Sequence, residues 1–436
     1  MATTALPPTA SRLRIALPAS LSVLGERDFR LIWLGSAVSL VGTWMQVIAQ
    51  GIVVLTLWDS PFALGIISFA NMAPSLVVML FGGVLADRAE KRLILIATQG
   101  AMALAAAIVG LLVLSGALTF WMLLVVALGL GVAIGYDLPA YQALLPELVP
   151  PEKIGQVVAL NSSTFHGSRM IGPAIAGVVI AALGFSAAYF LNAASFLAVI
   201  LSLLLIKHRP RALAEGERRM SALEGLREGI RHARGRPNLQ AMIALTGLNT
   251  IFLFPSIAVL LPYYATEVLG RGATVLALLM ASTGVGSMFG ALLLIWWADK
   301  WREARIWSGA LAAPATLVAL ALSRSPAVSI VAAGIASLAF SSQLGLIQMM
   351  IQESTPSRFR GRVMSLHGIT FTGSMPLAGL AASGAAVAFG LPAVMAGSAL
   401  ASLVSSVWML RFAGGGIAQV VRDSSVEYET VIAEGG

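Results

Sequence analysis

Twelve apolar runs divide this sequence, and each is close to the length that a membrane-spanning helix needs. About 20 apolar residues cover the hydrocarbon core of a bilayer in helical form. The runs cover residues 30–57, 62–85, 93–115, 118–146, 154–183, 186–206, 239–266, 272–297, 306–323, 328–350, 364–390 and 392–411. We therefore predict an all-α integral membrane protein with twelve transmembrane helices, spans 1–12.

The composition excludes a soluble globular protein. Hydrophobic residues make up 58% of the 436 residues and charged residues only 11%, whereas soluble domains average about 25% charged residues. The chain has no cysteine, so it offers no thiolate metal site and no cysteine nucleophile. No lysine follows a glycine, so no phosphate-binding loop of the Walker type is present. We expect no cofactor, no metal and no enzymatic activity.

The positions of the cations predict the orientation. If the N-terminus lies in the cytoplasm, 25 of the 28 Lys and Arg residues lie on the cytoplasmic side. Only Arg271 and Arg324 lie outside, and Arg169 lies within span 5. Because cytoplasmic loops of membrane proteins are enriched in Lys and Arg, we predict a multi-pass protein with both termini in the cytoplasm. We expect its membrane to be a bacterial-type inner (plasma) membrane. Loop cations of this kind do not indicate a nucleic-acid partner.

A polar stretch divides the chain into two halves of six spans. Residues 1–29 are expected to be a cytoplasmic tail, 30–206 the first half, 207–238 a cytoplasmic loop, 239–411 the second half and 412–436 a disordered tail. An internal repeat supports this division, because five residues recur at a constant offset of 206. They are Glu147, Pro150, Gly155, Val157 and Leu160, which recur as Glu353, Pro356, Gly361, Val363 and Leu366.

The loop between spans 2 and 3 carries a motif of a known superfamily. Residues 83–92 read GVLADRAEKR, which resembles the signature G-x-L-A-D-R-x-G-R-K of the major facilitator superfamily, with Glu90 where that family has Gly. The resemblance implies two six-helix halves that rock around a central site. We expect a latch that steadies the outward-facing state, in which Asp87 pairs with cations or a helix end. Its residues are Gly83, Asp87, Arg88, Arg92 and Asp299.

Within the superfamily, the chain most resembles the enterobactin-exporter-like branch, also called transmembrane secretion effectors. The stretches that carry this resemblance are 29–31 and 42–46 in span 1 and 137–149 in span 4. Gly172, Pro173 and Gly177 in span 5 are similar to a glycine-proline motif of antiporters. The resemblance implies export of a siderophore-like or drug-like molecule by proton antiport.

Three ionisable residues of spans 4 and 5 are candidates for proton coupling. Asp137 lies 10 residues before Glu147, at a depth of about 15 Å, and Arg169 lies at about 22 Å from its end of span 5. Charges at such depth are costly and are commonly functional. We predict a cluster in which Asp137 carries the proton, Arg169 stabilises the carboxylate and His166 relays. The alternative is a structural ion pair that never titrates.

Polar and aromatic residues of spans 1 and 7 are candidates for the substrate cavity, because these spans line the cavity in the superfamily. The candidates are Trp44, Gln46, Gln50, Asn249, Thr250 and Phe252. The alternative is hydrogen bonding between helices, which amides also provide in membranes.

The expected partners are a small-molecule substrate, protons and the lipid bilayer, and we expect a monomer. Two other functions stay open. One is a transporter of lysophospholipids or other lipids, and the other is a membrane sensor or scaffold without transport.

Overall fold

The computed structural model describes residues 19–207, 222–296 and 302–412. Every regular element in these ranges is a helix, and twelve helices are long and apolar enough to cross a membrane. The predicted all-α membrane fold with twelve spans is confirmed.

The first half contains six long helices. Short 3₁₀ helices precede them (Ala19–Gly25) and connect the fourth to the fifth (Leu145–Leu148 and Pro151–Lys153). The long helices are α1 (Arg27–Leu57), α2 (Pro61–Arg88), α3 (Lys91–Leu114), α4 (Phe120–Leu144), α5 (Ile154–Leu183) and α6 (Phe185–Leu205).

The second half is preceded by a helix of the central loop, α7 (Ala222–Arg234). Span 7 consists of α8 (Pro237–Phe252), a π-helical segment (Pro255–Val259), the short α9 (Leu261–Tyr263) and a second π-helical segment (Tyr264–Val268). The remaining helices are α10 (Ala273–Trp296), α11 (Arg302–Leu322), α12 (Pro326–Glu353), α13 (Ser357–Phe389) and α14 (Leu391–Phe412).

Span 7 is not the single regular helix that the apolar run predicts. Pro255 and Pro262 lack a backbone N–H, so the regular series of α-helical backbone hydrogen bonds is interrupted at both residues. The chain widens instead, and the N–H of Leu260 donates to the carbonyl oxygen of Pro255 at 2.9 Å. A widened turn of this type is rare in helices and is common at functional sites.

The helix contacts of the two halves repeat each other. In the first half α1 packs on α5 and α6, and α4 packs on α2 and α3. In the second half α8 packs on α13 and α14, and α12 packs on α10 and α11. Gly184 and Gly390 also repeat at the offset of 206, and both have φ of 80° at the turn between two helices, a conformation that favours glycine.

Among the residues that the structure describes, the two halves share an apolar core at one end of the molecule. We call the end where α1 begins and α14 ends the terminal end, and the opposite end the loop end. One apolar cluster at the loop end contains residues of both halves, such as Ile52 and Leu64 with Leu261 and Leu276. At the terminal end, one cluster contains only first-half residues and another contains only α7 and second-half residues. Within the described ranges, apolar packing therefore joins the halves at the loop end and not at the terminal end.

Small residues allow the two halves to approach closely where they meet. The main joints are α5 with α10 and α2 with α13. A Cβ atom at Gly284 would lie 2.6 Å from the carbonyl oxygen of Arg169, and one at Gly65 would collide with the hydroxyl of Ser383. Helix pairs in membranes commonly pack through such small residues.

The helix of the central loop, α7, packs against the second half. Glu228 forms an ion pair with Arg362 of α13, and the His232 ring stacks on Phe359 with centroids 4.4 Å apart. Ala233 is buried in the core of the second half at the terminal end. Within the predicted loop 207–238, α7 is thus attached to the second half, whereas the N–H of Lys207 donates to Asp28 of α1 at 3.0 Å.

Candidate transport site

Asp137 lies two turns before the end of α4 and bonds to α3. Thr98 donates its hydroxyl to Oδ1 of Asp137 at 2.6 Å, and Gln99 donates its Nε2 to the same oxygen at 3.0 Å. Hydrogen bonds to an ionised acceptor are stronger than bonds between neutral groups. Two neutral donors of α3 therefore bind this carboxylate. The sequence analysis had assigned the stabilisation of Asp137 to Arg169.

The amide of Gln99 has a second polar atom near this bond. Its Oε1 is buried and has no hydrogen-bond partner. An amide can donate through its nitrogen or accept through its oxygen, so rotation of the Gln99 amide would suit either an ionised or a protonated carboxyl. Thr98 and Gln99 were missed in the sequence analysis. The available signal was two adjacent polar residues within the apolar run of span 3.

Arg169 lies on α5 beside an aromatic residue of α1. Its Cζ atom is 5.5 Å from the centroid of the Trp44 ring, within the range of a cation–π interaction. Phe165 meets the same Trp44 ring edge-on, with centroids 5.9 Å apart. His166 and Arg169 are three residues apart on one helix face. The structure thus brings Trp44, His166 and Arg169 together, whereas Asp137 and Arg169 form no ion pair in this conformation.

Glycines place this group at the junction of three helices. A Cβ atom at Gly172 would lie 2.6 Å from Cβ of Trp44, and Gly177 lies against Ala277 of α10. Pro173 is buried within α5. Gly172, Pro173 and Gly177, predicted as an antiporter-like motif, thus lie where α5 contacts α1 and the second half.

Most of the predicted cavity amides hold helices together within one half. Gln46 accepts a hydrogen bond from Asn192 of α6 at 2.7 Å. Asn249 is 4% exposed and donates to Gln343 of α12 at 2.9 Å. Thr250 is 0% exposed and donates to the carbonyl oxygen of Thr246.

In this conformation α8 turns Asn249 and Thr250 toward its own half, and their role in lining a cavity stays a prediction. Gln50 and Phe252 are both half-buried.

The predicted latch lies at the terminal end. Gly83, Asp87 and Arg88 belong to the last turns of α2, and Asp299 lies outside the described residues. Arg92 donates to the carbonyl oxygen of Leu204 in α6 at 3.2 Å.

An ion pair beside these residues was missed. The ammonium of Lys91 lies 3.0 Å from a carboxylate oxygen of Glu147, and Arg302 meets Glu353 at 2.6 Å in the second half. Glu147 and Glu353 are repeat-related, so each half fastens its third helix to its fourth with an ion pair.

Twelve spans in two repeated halves, with ionisable groups held between helices at mid-depth, define a secondary transporter of the major facilitator type. The sequence profile of the family described as "Transmembrane secretion effector" matches residues 18–430. The chain belongs to this family, which is a transporter family and not a family of enzymes. The resemblance noted in the sequence is thereby confirmed.

Several curated relatives are transporters. The staphyloferrin A transporter of Staphylococcus aureus is 26% identical over 58% of this chain and 63% of its own length. The macrolide efflux protein A of Streptococcus pyogenes is 23% identical over 80% of this chain and 87% of its own. The multidrug resistance protein MdtG of Dickeya zeae is 26% identical over 64% of this chain and 68% of its own.

Solved structures share the fold at low sequence identity. An inward-facing, unoccupied bacterial homolog of the human lysosomal transporter Spinster is 14% identical, with a TM-score of 0.64 over 93% of this chain and 97% of its own. A D-xylose–proton symporter is 17% identical, with a TM-score of 0.66 over 90% of this chain and 99% of its own.

Proposed function

We propose that this protein exports amphiphilic small molecules, siderophore-like or drug-like, from the cytoplasm by proton antiport. The names of two relatives support export, since they are a macrolide efflux protein and a multidrug resistance protein, and the staphyloferrin A transporter supports a small-molecule cargo. The observation that carries proton coupling is Asp137, a carboxylate deep in a span that is held by two neutral donors. A carboxylate without a fixed cationic partner is free to take up and release a proton.

The terminal end is the cytoplasmic end in this proposal, and the membrane is the bacterial inner membrane. The bias of 25 of 28 cations supports this orientation. Because the described residues of the two halves share no apolar core at this end, the present conformation is inward-facing in this proposal. The latch of Gly83, Asp87, Arg88, Arg92 and Asp299 stays a prediction for the state in which the terminal end is closed. One chain contains the whole site, so we propose a working monomer.

The coupling step follows from the hydrogen bonds of Asp137. The ionised carboxylate accepts from Thr98 and Gln99. After protonation its new O–H can donate to Oε1 of Gln99, which is buried without a partner here. In this proposal Asp137 carries the proton. His166 and Arg169 on α5 take part by contacting the cargo.

Proton flux in proteoliposomes tests this function. The protein is reconstituted with an imposed pH gradient and a pH-sensitive dye, and a siderophore, a macrolide, a lipophilic cation and a lysophospholipid are added in turn. We expect cargo-triggered proton flux in the wild type and its loss in Asp137→Asn. Asp59→Asn is the matched control, because Asp59 is exposed at the loop end.

Each other outcome has a defined meaning. Cargo-triggered flux that survives in Asp137→Asn contradicts the coupling role. Flux with the lysophospholipid alone favours the lipid transporter. If folded protein shows no proton flux with any of the compounds, the result contradicts export and favours a sensor or scaffold.

A further inference from the structure

Arg169 is a cation at mid-depth in α5 with no anion beside it. Within the described ranges it forms no salt bridge and no hydrogen bond, and its Nε is buried without a partner. Its guanidinium lies over the face of the Trp44 ring, with Cζ 5.5 Å from the ring centroid. A charged side chain inside a membrane protein normally pairs with another group or marks a substrate pathway. The missing partner of Arg169 therefore requires an explanation.

A second polar group on the same face also lacks a partner. Nδ1 of His166 is buried and makes no hydrogen bond. Residues three apart on a helix are neighbours, so Arg169 and His166 form one polar site with two unfilled hydrogen-bonding positions. A carboxylate offers two oxygens and can accept from both residues at once.

Asp137 does not supply this anion. Its carboxylate bonds to Thr98 and Gln99 of α3, and it forms no ion pair with Arg169. Asp137 and Arg169 thus have separate environments. Asp137 has two hydrogen-bond donors beside it, whereas Arg169 has no hydrogen-bond acceptor among the described residues.

Aromatic surface surrounds the unpaired cation. The Trp44 face lies against the guanidinium, and the 44% exposed ring of Phe165 contacts Trp44 edge-on. Binding sites for small molecules combine apolar walls with a few placed polar groups. A ligand with an apolar body and one carboxylate fits both parts of this surface.

The site also lies where the two halves meet. The backbone of Arg169 touches α10 at Gly284, and Trp44 touches α5 at Gly172. A ligand bound here contacts the helices that join the halves, so its binding energy can differ between the two conformations, as alternating access requires.

We propose that Arg169 and His166 bind the carboxylate of an amphiphilic organic anion whose apolar body rests on Trp44 and Phe165. This inference rests on the proposed export function and names its substrate class. It adds a binding role to residues that the sequence prediction assigned to proton transfer.

Binding of three compounds with one ring system tests the proposal. The probes are 2-naphthoate, 2-naphthamide and 2-naphthylmethylammonium, and binding is measured as the rise in unfolding temperature of the purified protein. We expect naphthoate to bind the wild type at least about tenfold more tightly than the amide. Arg169→Gln should lose this preference, and Arg169→Lys should keep part of it because the charge remains.

Arg324→Gln is the matched control, because Arg324 is exposed at the loop end. The proposal is overturned if the wild type does not bind naphthoate, binds acid and amide equally, or keeps its preference in Arg169→Gln. Binding does not require transport, so the two proposals fail separately. Naphthoate preference without flux of any cargo rejects export, whereas flux without carboxylate preference rejects only the anion site.

Discussion

Two neighbouring residues of α3, Thr98 and Gln99, give Asp137 its environment. Hydrogen bonds to charged groups contribute roughly 1.5–3 kcal/mol each, and both bonds here favour the ionised carboxylate. Gln99 can also serve the protonated state, since its Oε1 is buried without a partner. Gln99 is thus suited to both steps of a proton cycle, as is the Thr98 hydroxyl, which can donate or accept.

Replacing Gln99 with leucine should impair coupling. In Gln99→Leu we expect cargo-triggered proton flux to fall by at least about tenfold, which corresponds to the lower end of the range for one such hydrogen bond. Cargo binding should persist because Arg169 and Trp44 are unchanged. The measurement is proton flux and cargo binding on the same preparation.

Gln46→Leu is the matched control, since Gln46 bonds to the neutral amide of Asn192. We expect this variant to lose stability and keep the ratio of protons to cargo. Equal loss of coupling in both variants would show that Gln99 has no specific part in the proton cycle.

The sequence located the intramembrane charges but not their partners. Asp137 and Arg169 stand out because charges are rare within apolar runs, and counting residues gives their depth. Depth along a helix does not give rotation about its axis, which packing decides. Residue spacing therefore could not predict that Asp137 faces Thr98 and Gln99, or that Asn249 faces Gln343.

At the scale of helices, the repeated ion pairs fasten the third helix of each half to the fourth. Lys91 is 3% exposed and Glu147 is 31% exposed. Removal of Lys91 takes away this ion pair in a setting that is largely shielded from water, and the partial exposure of the Glu147 carboxylate limits the cost.

Removing the Lys91 charge should therefore destabilise the first half. We expect Lys91→Met to lower the stability by about 1–3 kcal/mol, between the values for surface and buried pairs. Thermal unfolding of the purified protein measures this loss.

Lys153→Met serves as comparison, because Lys153 and Glu26 form a more exposed pair that should contribute at most about 1 kcal/mol. The charge-swapped double variant Lys91→Glu with Glu147→Lys should recover part of the loss. A loss in Lys91→Met no larger than in Lys153→Met would contradict the structural role of the pair.

Helix positions were predictable because an apolar run fixes a span by its length. The exceptions have local causes. Span 11 begins earlier than predicted, at Ser357, because Pro356 lies immediately before the helix. Span 7 departs from a regular helix at Pro255 and Pro262. Polarity marks the segment before span 7 as outside the bilayer, but it does not show that α7 packs on the second half.

At the scale of the molecule, the loop-end joint holds the present conformation. Gly65 of α2 lies directly against Ser383 of α13, with no room for a side chain. Overpacking of such a contact costs about 1–3 kcal/mol. A two-state transporter with states a few kcal/mol apart changes its populations under a perturbation of this size.

Substitution of Gly65 should therefore open the loop end. In Gly65→Ala we expect a larger population with α2 and α13 separated, detected as longer distances between spin labels at Ser115→Cys and Arg324→Cys. Native cysteines do not interfere, because the sequence has none.

Gly129→Ala is the matched control, since a Cβ atom there meets nothing within 4 Å. Adding Ser383→Gly to Gly65→Ala should shorten the distances again. Unchanged distances in Gly65→Ala would show that this contact does not set the conformation.

The shared apolar cluster at the loop end has a thermodynamic consequence. Opening this end moves side chains such as Ile52, Leu64, Leu261 and Leu276 from a dry contact toward water, and hydration of apolar surface raises the heat capacity. The terminal end carries most of the cations. Its closure should therefore bury less apolar surface than the opening of the loop end exposes. The conformational step should then have a positive heat-capacity change, and the logarithm of turnover should curve against reciprocal temperature.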